Sequence, residues 1–118
     1  MDAAGTVGRG ESAPRLAVKT LEGSPVRGDL SRKMLLRGRR ALLVELQARR
    51  GMITPAHRHG HDSYLYVVSG RMRSAMGADV HTLGPGDAVL HPAGVEHAVE
   101  ALEDTVWVEV KTPAEEPW

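Results

Sequence analysis

The chain has 118 residues, the size of one domain, and 42% of them are hydrophobic, enough for a single core. Fifteen basic residues balance fifteen acidic ones, so no global field draws it to nucleic acid or to an anionic membrane; any pull on a charged substrate must come from a local site. Cys is absent, which excludes disulfides, thiolate ligands and Cys nucleophiles, and with no apolar run of membrane-spanning length and no secretion-type N-terminus a soluble cytoplasmic protein is expected.

Residues 1–13 are rich in Gly, Ala, Ser and charge, have no period, and are expected to form a flexible arm. A single domain is expected over 14–112, followed by a loosely attached tail over 113–118. Phe is absent, so the core must come from Val, Leu, Ala, Ile and Met. Residues 31–40 offer the one segment with some helical character, weakened by Gly38 and by the basic residues around it. After it the pattern is strand upon strand. Leu42, Val44, Leu46 and Ala48 alternate with Leu43, Glu45 and Gln47, a period of two with one apolar residue on the polar face. Residues 64–68 form a β-rich run closed by Ser69-Gly70. Residues 71–76 and 80–83 flank Gly77-Ala78-Asp79, a hairpin signal. A further strand is expected over 87–91, between Gly84-Pro85-Gly86 and Pro92-Ala93-Gly94. In the last strand Val106, Val108 and Val110 alternate with Trp107 and Glu109. Many short strands punctuated by Gly and Pro imply a sandwich or closed barrel.

All six His lie between positions 57 and 97. His57 and His59 are two apart, so in an extended chain they share a face, roughly 7 Å apart at Cα, and two imidazoles so placed can converge on one ion. His97 follows 38 residues after His59. A barrel that returns its strand beside the first pair completes a facial set of three. His61 has the same parity and is a rim residue or a further ligand; Asp62 is placed to accept a proton from an imidazole nitrogen. His91 has either a pocket or a strand role, and His81 is expected to face solvent. Glu109, on the face of Trp107, is either a solvated outer-face residue or a pocket acid or base.

Two motifs resemble those of the cupin superfamily. The first is Gly51, five residues, His57-Arg58-His59, then Tyr66-Val67-Val68-Ser69-Gly70; the second is Gly86, five residues, Pro92, Gly94 and His97. The resemblance implies an all-β, single-domain cupin-type double-stranded β-helix, a jelly-roll barrel, with His57, His59 and His97 as metal ligands. The family's first motif normally carries Glu or Gln where this chain has Ser63, and its second ends in Asn where this chain has Ala101. Three neutral imidazoles leave both charges of a divalent ion uncompensated, which favours an anionic, chelating substrate; Fe, Ni, Mn and Zn are all admissible.

Within the superfamily the chain is similar to small single-domain cupins of the pectin-degradation type, which linearise unsaturated uronates. That similarity implies a proton-transfer role for Glu109; His91 is the other candidate proton carrier, and His61, Ser63 and Tyr66 are possible further ligand or pocket residues. The leading expectation is a metal-dependent isomerase- or lyase-like enzyme acting on a small oxygenated anion. A three-His Fe(II) dioxygenase and a non-catalytic small-ligand-binding protein are the alternatives. No nucleic-acid or membrane partner is expected. A homodimer is expected, with Leu43 and Trp107 at its interface.

Overall fold

The computed structural model describes residues 6–118; the first five residues of the expected arm lie outside the described residues. Eleven strands follow in order: β1 (Arg15–Ala17), β2 (Thr20–Leu21), β3 (Ser24–Pro25), β4 (Leu30–Arg37), β5 (Leu42–Ala48), β6 (Asp62–Ser69), β7 (Met72–Met76), β8 (Asp79–Leu83), β9 (Ala88–His91), β10 (Ala98–Ala101) and β11 (Thr105–Thr112). Among the described residues there is no helix, and so none long and apolar enough to cross a membrane.

The strands form a six-stranded sheet in the order β1-β4-β5-β11-β6-β9, a three-stranded sheet β10-β7-β8, and the small hairpin β2-β3. All pairings are antiparallel. The helical character of 31–40 is overridden: β4 pairs with β1 on one side and β5 on the other, and those two ladders outweigh a weak local preference. Of the remaining strands, β1 to β3 and β10 carry too little alternation to be read locally, and their neighbours position them.

The inner face of the large sheet runs in rows. Leu46, Trp107 and Val67 make one row; Val44, Glu109, Leu65 and Val89 make the next; Leu42, Lys111, Ser63 and His91 make the third. The apolar members of the first two rows join Met52, Met72 and Val99 in one core cluster. Trp107 is therefore not an interface residue. It is 2% exposed, and the three valines of β11 face outward instead. Parity also keeps Tyr66 out of the site: Ser63, Leu65 and Val67 point inward, so Tyr66, at 49% exposure, lies on the outer face and away from any pocket.

Gly70 shows why the β6–β7 turn takes glycine. Its φ is +87°, and a Cβ there would stand 2.2 Å from the Asp104 carbonyl oxygen. The tail after β11 does not hang free. Glu116 pairs with Arg37, the Pro117 carbonyl accepts from the Glu22 N–H at 2.9 Å, and the Trp118 ring lies 4.7 Å from the Arg32 guanidinium.

Candidate metal centre

Residues 51–57 run antiparallel to 97–101. The Thr54 N–H donates to the Val99 carbonyl and the Ala101 N–H to the Met52 carbonyl, each at 2.9 Å; His57 and His97 exchange both backbone bonds, at 3.0 and 2.9 Å. The two His are thus direct cross-strand partners, and their ring centroids are 4.3 Å apart. His59 follows on the same side, 4.6 Å from the His57 ring and 5.0 Å from that of His97. One potential ligand atom from each of the three rings lies within 4.8 Å of the others, close to the span of donors around a single ion bonded at about 2.0–2.2 Å.

Each ring is oriented from behind. Nδ1 of His57 lies 2.5 Å from the Pro55 carbonyl, Nδ1 of His97 lies 3.1 Å from the Val95 carbonyl, and Nδ1 of His59 lies 3.2 Å from Glu22 Oε1. Carbonyl and carboxylate oxygens only accept, so Nδ1 carries the proton in all three and Nε2 is left as a lone-pair donor. Asp62 plays no part in this; its Oδ1 accepts from the Ala93 N–H at 2.8 Å. Burial, aided by the Lys111 ammonium, holds the rings neutral: His59 is pushed down to about 2, and His57 is lowered. His97 is pushed down to about 3, first by burial and then by His91. The His59–Glu22 contact is therefore a hydrogen bond from a neutral ring and not an ion pair. Three neutral, oriented imidazoles with free Nε2 atoms fit a divalent transition metal.

Around this triad lies a second polar group. His91 is buried in β9, with Nε2 2.7 Å from Ser74 Oγ and its ring stacked 4.2 Å from His97. Burial pushes it down to about 4. His61 is not a rim residue: it is 1% exposed and stacked 4.4 Å from His59, yet stands outside the three-His group. His81 is exposed. Ser63 is buried, and its hydroxyl accepts from Lys111 Nζ at 3.1 Å.

Glu109 is buried rather than solvated. Its Oε1 accepts from the Trp107 indole at 2.8 Å and its Oε2 from Lys111 Nζ at 2.6 Å. Burial alone would raise its carboxyl, but the Lys111 ammonium and the indole outweigh it and hold the group below the usual carboxylate range. Lys111, Glu22 and Trp118 are the site residues that sequence reasoning missed. Lys111 completes the period-two series Trp107, Glu109, Lys111, and that parity was the available signal.

His57, His59, His97, Ser63, His91, Glu109 and Lys111 line one cavity of about 30 Å³. Trp118, 5.4 Å from Lys111 Nζ, also lines it.

Residues 43–111 match the family model of the cupin domain. Among solved structures the chain is similar to KdgF from Halomonas sp., at 24% identity and a TM-score of 0.81 over 93% of this chain and 96% of that one. An RmlC-like cupin from Shewanella frigidimarina superimposes at 22% identity and a TM-score of 0.82, over 96% and 95% of the two chains. The polyketide cyclase RemF from Streptomyces resistomycificus does so at 20% identity and 0.76, over 92% and 78%. At such identities the likeness establishes the shared barrel. No curated protein sequence matches the chain.

Proposed function

The chain belongs to the cupin family, and from that premise we propose that it is a metal-dependent enzyme acting on a small, oxygenated, anionic substrate by enolisation, isomerisation or cyclisation. The observation that carries this reading is the orientation of His57, His59 and His97, each with Nδ1 engaged and Nε2 free. A divalent Fe, Ni, Mn or Zn ion held there would supply Lewis acidity to substrate oxygens.

The chain's own residues do the rest. Leu21, Leu30 and Val99 wall the cavity and exclude bulk water. Glu109, positioned by the Trp107 indole and the Lys111 ammonium, lines the cavity and is the carboxylate placed to take up a proton there. His91, neutral and buried beside the triad, is the other proton carrier.

The test is solvent-hydrogen exchange. Chelated protein is reloaded with each metal and offered 2-oxo acids, 1,3-diketones and unsaturated uronates in D₂O, and carbon-bound deuterium is followed by NMR. Metal-dependent incorporation that His57→Ala abolishes is expected. Incorporation that persists undiminished in a metal-retaining His57→Ala protein would sink the reading.

We also propose a cytoplasmic homodimer. Leu36, Leu43, Val110, Tyr64 and Leu90 form one register row across the outer face of five neighbouring strands, an apolar stripe with Tyr64 48% exposed. Sedimentation is expected to give a dimer that Tyr64→Glu splits; a monomeric parent protein at micromolar concentration would contradict it.

A further inference from the structure

Where the family places a carboxylate or amide beside its histidines, this chain has Ser63, and the space next to that serine holds a cation. Lys111 lies opposite Ser63 in the β11–β6 register, its side chain is 3% exposed, and its Nζ donates to Ser63 Oγ at 3.1 Å. It lines the same cavity as the three imidazoles and, among the described residues lining that cavity, is the one Lys or Arg. From this juxtaposition we infer that Lys111 is the anchor of an anionic ligand: a small carboxylate, a 2-oxo acid by preference, held between the three-His centre and the Lys111 ammonium. The inference rests on the metal-centre reading above and names its substrate class.

Charge decides the ligand. Glu109 Oε2, at 2.6 Å, neutralises Lys111, and the Trp107 indole fixes the other carboxylate oxygen, so the pair is internally balanced and rigidly oriented. The three imidazoles are neutral. A divalent ion at the triad therefore adds charge that nothing in the cavity offsets, and a neutral ligand leaves it so. Lys111 directs its remaining donors at two neutral, replaceable acceptors, the Ser63 hydroxyl and, at 3.5 Å, His61 Nε2. A carboxylate oxygen replacing either one makes a charge-assisted bond while Glu109 keeps its own. The small cavity favours a compact ligand, and Trp118 lines it beside Lys111.

The experiment loads cobalt(II) into the full chain and follows its visible spectrum during titration with pyruvate and, separately, with neutral imidazole. Lys111→Met alone strands a buried carboxylate and risks misfolding, so the decisive variant is the double change Glu109→Gln with Lys111→Met, which removes both charges and leaves net charge unaltered. Pyruvate affinity is expected to fall ~10-fold or more in the double variant. Imidazole affinity stays unchanged there, and Glu109→Gln alone retains pyruvate. Equal losses for both ligands, no loss for either, or a cobalt-loaded parent protein that ignores pyruvate would overturn the anchor alone. A parent protein that takes up no cobalt overturns the metal centre and the anchor with it.

Discussion

The two ends of the barrel interior are lined by the same strands and built on different principles. At one end Met52, Val67 and Met72 pack in the apolar cluster without lining the cavity, and burying each such side chain contributes about 1.5–3 kcal/mol. At the other, Lys111, Ser63 and His91 stand in one row beside the three-His centre, where every polar group must be paired or it costs free energy. β11 crosses from one regime to the other in steps of two residues: Trp107 belongs to the core cluster and reaches the cavity wall, while Glu109 and Lys111 belong to the site. The difference teaches that the register row, more than the strand, sets the chemistry of a side chain here. It also separates two kinds of change, those that act on folding and those that act on the site.

Acid should separate the ends most strongly. His59, His91 and His97 have folded values of about 2, 4 and 3 against an unfolded 6.5, and burial, the leading cause, also lowers His57 and His61. Below pH 6.5 the unfolded chain takes up protons that the folded chain refuses, so stability of the metal-free protein is fully present above that pH. It is lost progressively as pH falls through the folded values. Urea midpoints measured in steps from pH 7 to pH 4 are expected to fall steadily. A flat profile across that window would mean that the polar end is hydrated and that its histidines titrate alike in the folded and unfolded chains.

A core substitution acts oppositely. Met72 is fully buried, and Met72→Ala is expected to cost ~2–5 kcal/mol in urea unfolding. Metal stoichiometry in the folded protein should not change. Loss of metal binding with little loss of stability would show that the two ends are not separable.

The sequence made much of the triad legible, because His57 and His59 share strand parity and Gly51, Gly86, Pro92 and Gly94 frame them at family spacing. Parity was also sufficient to exclude Tyr66 once Ser63 was known to point inward. The rest depended on pairings that no local pattern carries. The valines of β11 resemble a core face, and only the ladders to β5 and β6 show that Thr105, Trp107, Glu109 and Lys111 are the inner set. Glu22 reaches His59 from the β2–β3 turn, 37 residues away in the chain, and Trp118 returns over the cavity from beyond the last strand. The apparent helix at 31–40 failed for the same reason, since β1 and β5 together determine that segment.

Metal content tests the three-imidazole centre most directly. Untagged protein purified without added metal, and the same protein carrying His97→Ala, are compared by elemental analysis after gel filtration. About one divalent transition-metal ion per chain is expected in the parent protein, and a small fraction of that in the variant. A parent protein that stays metal-free even after incubation with Fe, Ni, Mn or Zn, or a folded His97→Ala protein that holds its ion as well as the parent does, would contradict the centre.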